Sequence, residues 1–150
     1  MKSPKRASFA LVKVCCQVLD NKLAGNVRVL DVGAQSSITD FLVVATATST
    51  PHLRALRVEL EKAIDMSSNR IVGIETAEES GWTVIDAFDV MVHLFLADRR
   101  AQYGLENLWK DAVEVSVPQL LSVSKTRAGA HSEKAPKTRA TKNRARGKGA

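Results

Sequence analysis

The sequence predicts an α/β domain built on a mixed sheet of about five strands flanked by helices. Three observations carry that prediction. Short apolar runs of strand length alternate with longer segments of helical period. Two of the runs, residues 41–45 and 90–96, are almost wholly apolar, as strands buried on both faces are. Large apolar residues then become scarce beyond position 121 although the chain continues to 150.

The elements follow in order. A first helix is expected over 9–23, with Ser8 placed to cap it. Leu11, Cys15, Val18 and Lys22 share one face, Val12, Cys16, Leu19 and Leu23 the next, and Gly25 and Asn26 end it. Residues 27–32 read as a strand, with Val27, Val29 and Asp31 on one side and Arg28, Leu30 and Val32 on the other. A small polar connection, 33–39, leads to the central strand 41–45. Thr50-Pro51 opens a second helix, where proline's missing N–H costs little. Leu53, Leu56, Leu60 and Ile64 form its apolar stripe, and Arg54, Arg57, Glu61 and Asp65 its wet side.

Residues 71–75 read as a short strand and 76–80 as an acidic loop. Strands 82–86 and 90–96 are joined by a turn at 87–89. Asp98 is placed to cap a short helix ending at Tyr103, with Gly104 as a left-handed stop. An apolar turn spans 105–109, and 110–121 fits strand and helix equally. The element order is α-β-β-α-β-β-β-α, with no internal repeat.

Charge separates this domain from an appendage. The net charge of +6 conceals a tail, 122–150, with nine Lys/Arg against the single acid Glu133, and a remainder carrying −2. The tail has no aromatics and almost no large apolar side chains, so it cannot offset the entropy of ordering and is expected to be disordered. Residues 1–8 are expected to form a flexible basic N-terminus, and 9–121 the domain. No run approaches the roughly 20 apolar residues of a membrane span. No secretory or transit signal is recognisable. The adjacent Cys15 and Cys16 read as buried thiols of a reducing cytoplasm.

Catalytic signatures are missing. The chain contains no GxGxxG, GxxxxGK[ST], HExxH or GxSxG. His52, His93 and His131 lack ligand spacing, and His93, inside an apolar strand, reads as a satisfied core or interface residue. Asp31, Asp40, Asp86 and Asp89 flank predicted strands and read as turn-fastening groups rather than metal ligands. No D-x-D is present to hold the metal ions of nucleotidyl transfer. What stands out is aromatic: five of seven aromatics fall between 82 and 109, Trp82, Phe88, Tyr103 and Trp109 among them. Such residues suit core filling and protein interfaces alike.

Three blocks resemble the Iojap/RsfS family of ribosomal silencing factors. The first is Asp31-Val32, Ser36-Ser37-Ile38-Thr39-Asp40-Phe41, Val44-Ala45-Thr46 and Ser49. The second is Gly81-Trp82, Asp86, Asp89-Val90, Val92-His93 and Phe95. The third is Arg100, Tyr103, Leu105-Glu106 and Leu108-Trp109. The resemblance covers about residues 9–110 and implies a nucleotidyltransferase-like α/β fold without that chemistry. It also implies a non-enzymatic translational repressor in the cytoplasm, with no cofactor or metal. Its partner would be the large ribosomal subunit, engaged through ribosomal protein numbered fourteen on the intersubunit face, where the bound repressor prevents the small subunit from joining. Family members also form homodimers when free. On that reading Trp82, Asp86, Asp89, Tyr103 and Trp109 are the expected partner-binding surface or its direct support.

The chain departs from the family pattern at Ala47 and Phe88, both usually glycine; if the turn at 88 needs φ > 0, a bulky residue there is costly. Two other functions compete with the family reading: a metal-dependent nucleotidyltransferase-like enzyme, and a tail-driven RNA-binding protein making sequence-independent phosphate contacts.

Overall fold

The first helix, α1, runs Lys5–Asn21 and carries Leu11, Val12, Cys15, Cys16 and Leu19 into the core. It begins earlier than the sequence indicates. Residues 5–8 are helical rather than a flexible lead, and Ser8 is not the cap: it is buried within the helix, where its hydroxyl donates to Asp40 Oδ2 at 3.3 Å. The helix also stops sooner. Leu23 adopts φ 63°, with its N–H on Asp20 O at 3.1 Å and the Ala24 N–H on Leu19 O at 2.9 Å. This is a Schellman end, with leucine where glycine is usual. Gly25 is therefore the first residue of β1 (Gly25–Asp31), not a helix terminator.

Strand β2 (Phe41–Ala47) follows, buried at all but one position. Helix α2 (Thr50–Met66) starts as expected: Ser49 Oγ accepts the His52 N–H at 3.2 Å, and Pro51 occupies the first turn. Leu53, Leu56, Leu60 and Ile64 are its buried stripe. Its end repeats the α1 device, with Ser68 at φ 66° and bonds from Ser68 N–H to Asp65 O and Asn69 N–H to Ile64 O.

Strand β3 (Gly73–Ala77) lies two residues later than expected, because its register is set by pairing with β4 (Trp82–Asp86). The expected acidic loop is thus the end of a strand plus a short 3₁₀ turn, Glu78–Ser80. Strand β5 (Val90–Leu96) and helix α3 (Ala97–Tyr103) match expectation, with Gly104 at φ 58° closing α3. Asp98 lies in the first turn of α3 but does not cap it through its side chain. The anticipated apolar turn is a single-turn helix, α4 (Leu105–Leu108), and part of the ambiguous stretch becomes β6 (Val113–Val115).

The computed structural model describes residues 5–121; the expected tail at 122–150 and residues 1–4 lie outside the described residues. The chain divides into units Met1–Val117 and Pro118–Ala150, and of the second only 118–121, helical in backbone, are described.

The sheet is mixed, six-stranded rather than five, in the order β3-β4-β5-β2-β1-β6. Strands β2 and β5 pair in parallel and all other neighbours are antiparallel. One face is covered by α1 and α2, which meet Val29, Phe41, Val43, Ala45, Val92 and Leu94, all within 2 % of fully buried. Each such aliphatic side chain contributes ~1.5–3 kcal/mol of transfer free energy. Cys15 and Cys16 are free and buried here, and burial pushes both thiols up to about 12, which keeps them protonated. No helix among the described residues is long and apolar enough to cross a membrane.

Candidate functional site

Among the described residues, no layer of long helices covers the second face of the sheet. Strand pairing arranges its outward side chains in rows. Ala77, Trp82, Phe95 and Thr46 form one; Glu75, Val84, His93, Val44 and Arg28 the next; Asp86, Met91, Leu42, Leu30 and Glu114 a third. Among the described residues, α3, α4 and residues 109–112 lie over these rows.

At one end stands an aromatic platform. Trp82 stacks on Phe95 with ring centroids 5.0 Å apart and meets Tyr103 at 4.5 Å. Its indole Nε1–H donates to His93 Nδ1 at 3.2 Å. That bond requires His93 to keep Nδ1 unprotonated, and burial lowers the imidazole pKa to about 4, so the ring is neutral near pH 7. The sequence-based reading of His93 as a satisfied interior histidine therefore holds. Gly81 makes the approach to the platform possible: its φ is +66°, and a Cβ there would lie 2.6 Å from Arg99 Cγ.

At the other end Trp109, Met91 and Ala112 pack over Leu30, Val32 and Leu42. Between the two lies a charge network. Arg100, 7 % exposed, donates to Asn26 O at 2.7 Å, Thr46 Oγ1 at 2.8 Å and Glu106 Oε2 at 2.9 Å. Arg28 engages Glu106 and reaches Glu114 at 2.8 Å. The two guanidiniums, Arg100 foremost, hold the Glu106 carboxyl below the usual range. Arg28 does the same for Glu114, and its own guanidinium is raised in return. Among the described residues every deeply buried side-chain polar atom has a partner.

Of the five residues the sequence singled out, four converge on this face: Trp82, Tyr103, Trp109 and Asp86. Tyr103 is 42 % exposed, while Trp82 and Trp109 are half-buried. Asp86 fastens the following turn, its Oδ1 accepting the Phe88 N–H at 2.9 Å. Asp89 is not on the surface. It is 6 % exposed, and its carbonyl accepts the N–H groups of Asp40 and Phe41, tying the start of β5 to the start of β2. Phe88 does take φ 72°, the left-handed backbone that glycine would hold without strain.

Arg28, Glu106 and Glu114 were not singled out from sequence, nor was a site role given to Arg100, although Arg100 and Glu106 lie in the third resembling block. Their one local signal is an arginine at an alternating position of an apolar strand. Asp31 accepts the Gly33 N–H, the turn-fastening role expected, whereas Asp40 accepts the hydroxyl of Ser8 from within α1. Among the described residues no three His, Cys, Asp or Glu side chains are grouped to hold a metal ion.

The comparisons agree with one another. The model of the family "Ribosomal silencing factor during starvation" matches residues 5–146, beyond the span of the three sequence blocks. The "Ribosomal silencing factor RsfS" of Halalkalibacterium halodurans is 34 % identical over 112 residues, covering 75 % of this chain and 96 % of that protein. The mouse "Mitochondrial assembly of ribosomal large subunit protein 1" is 30 % identical over 65 % of this chain and 44 % of its own length. A solved structure from Bacillus halodurans superposes with a TM-score of 0.63 at 32 % identity, covering 71 % of this chain and 97 % of that one. With a family model matched over most of its length and a relative 34 % identical and covered almost whole, the chain belongs to the family of ribosomal silencing factors.

Proposed function

We propose that this protein represses translation without catalysis, by occupying the intersubunit face of the large ribosomal subunit in the cytoplasm. The partner would be ribosomal protein numbered fourteen, and the bound domain would block the small subunit sterically. The observation that carries this reading is that Trp82, Tyr103, Trp109 and Asp86 share one sheet face, which among the described residues no layer of long helices covers. Half-exposed Trp and Tyr are the residues that anchor protein interfaces. The relatives named as silencing factors, and the mouse relative named for large-subunit assembly, support a ribosomal partner. The basic tail would add sequence-independent contacts to ribosomal RNA, and free copies would associate as homodimers. The folded part, at −2, suits a basic partner.

Light scattering of mixed large and small subunits tests the reading. Protein added before mixing should suppress joined ribosomes. Tyr103→Ala should lose about 2 kcal/mol of binding, roughly thirtyfold in affinity, while staying folded, because the ring is nearly half exposed. Normal joining at saturating wild-type protein would refute silencing. Incubation with labelled nucleotides and Mg²⁺ should show no transfer.

A further inference from the structure

The outermost strand of the sheet on the platform side, β3, ends in solvent, and its free edge is not blunted by proline or lysine. The direction of its backbone groups follows from the ladder. Leu96 N–H bonds Gly81 O, and Ala87 N–H bonds Val90 O, each at 3.0 Å. Odd-numbered residues of β4 therefore bond toward β5, and Trp82, Val84 and Asp86 bond toward β3. Their partners Gly73, Glu75 and Ala77 are used internally. By this alternation the N–H and C=O groups of Ile74 and Thr76 point outward, where among the described residues no strand pairs with β3.

Beside this edge lies an open groove of about 480 Å³, walled by Glu75, Ala77, Val84, Trp82 and Tyr103. It joins unpaired backbone to the aromatic platform. Its charged rim is acidic: Glu75 and Glu79 are exposed and in no ion pair among the described residues. The α2 arginines beside Thr76, Arg54 and Arg57, lie toward the opposite face, and Arg57 is held by Glu61 at 2.6 Å.

We propose that β3 receives an extended, Lys- or Arg-bearing protein segment of the ribosomal partner as a seventh strand, whose alternate side chains rest in the Trp82–Tyr103 groove beside Glu75. Main-chain bonds to Ile74 and Thr76 would supply affinity, and the groove and Glu75 would supply selectivity. The inference rests on the proposed function, since it names how that partner is held.

The test is amide hydrogen exchange on the full chain, alone and with purified large subunits, paired with sedimentation of Thr76→Pro and Glu75→Lys. Proline at 76 removes an outward N–H and leaves the β4 ladder whole. Exchange at Ile74 and Thr76 should slow on binding. Thr76→Pro should bind about tenfold more weakly, and Glu75→Lys should weaken binding most at low salt. If wild-type protein fails to sediment with large subunits, the proposed function falls and this inference with it. If it sediments while the β3 amides exchange unchanged, the inference alone is overturned; the wild-type exchange decides even if the proline variant unfolds. Protection of β3 in the free protein at high concentration would assign the edge to a second copy and overturn it too.

Discussion

The two faces of the sheet are built from different materials. Under α1 and α2 the contacts are aliphatic, from Leu19, Leu56, Leu60, Val43 and Leu94, with Phe41 meeting Phe9 at a ring distance of 6.1 Å. On the other face the cover is thin and held by directional bonds: Trp82 to His93, Arg100 to Thr46 and Asn26, and two arginines sharing Glu106. The first arrangement is indifferent to pH and tolerant of small shifts. The second fixes orientations and leaves apolar surface exposed, which a binding surface requires and a core does not.

This contrast can be broken from either side. The largest effect belongs to the aliphatic face: Phe41→Ala should lower unfolding free energy by about 3–5 kcal/mol in denaturant titrations. The next belongs to His93. Its folded-state pKa, about 4, lies below the usual 6.5, so the unfolded chain takes up the proton first. Stability is therefore complete above pH 6.5 and is lost as pH falls from there toward 4, at up to about 1.4 kcal/mol per unit. Unfolding curves from pH 7.5 to 4.5 should show that limb, and His93→Gln should flatten it. Arg100→Met should cost about 2–3 kcal/mol, below the usual range for breaking a buried pair because Arg28 still satisfies Glu106. It should also weaken ribosome binding by loosening α3 beneath Tyr103, an effect that Phe41→Ala should not share in protein that remains folded. The smallest change sharpens the comparison by lying on neither face: Leu23→Gly should raise stability by about 1 kcal/mol, since it relieves a left-handed leucine that is 80 % exposed.

The same division governs what could be read in advance. Periodic, aliphatic elements were legible. Strands β4 and β5 end where expected because the 87–89 turn interrupts two apolar runs, and α2 begins where Ser49, Thr50 and Pro51 announce it. Trp82, Tyr103 and Trp109 stand out by composition and family resemblance, and folding brings Trp82 and Tyr103 into ring contact. What escaped notice depends on pairing across the chain. Strand β6 has three residues and no period of its own; it exists because β1 offers an edge. Arg28 finds Glu106 and Glu114 only after folding, and no spacing rule connects them. The end of α1 was placed too late because a leucine, not a glycine, takes the left-handed position. Asp89 looked like its neighbour Asp86, yet one residue of turn geometry buries it.

The Arg28–Glu114 bond joins residues 86 positions apart. During synthesis, β1 leaves the ribosome with one edge bare and its arginine unpartnered. At the usual pace of elongation, on the order of ten seconds pass before β6 emerges to cover both. The helices α1 and α2 and the strands they cover end at Leu96, ahead of β6 at Val113, so the aliphatic half can form while the chain is still being made. The half-covered face, with Arg28 joined to Glu106 and Glu114, is finished only when β6 arrives.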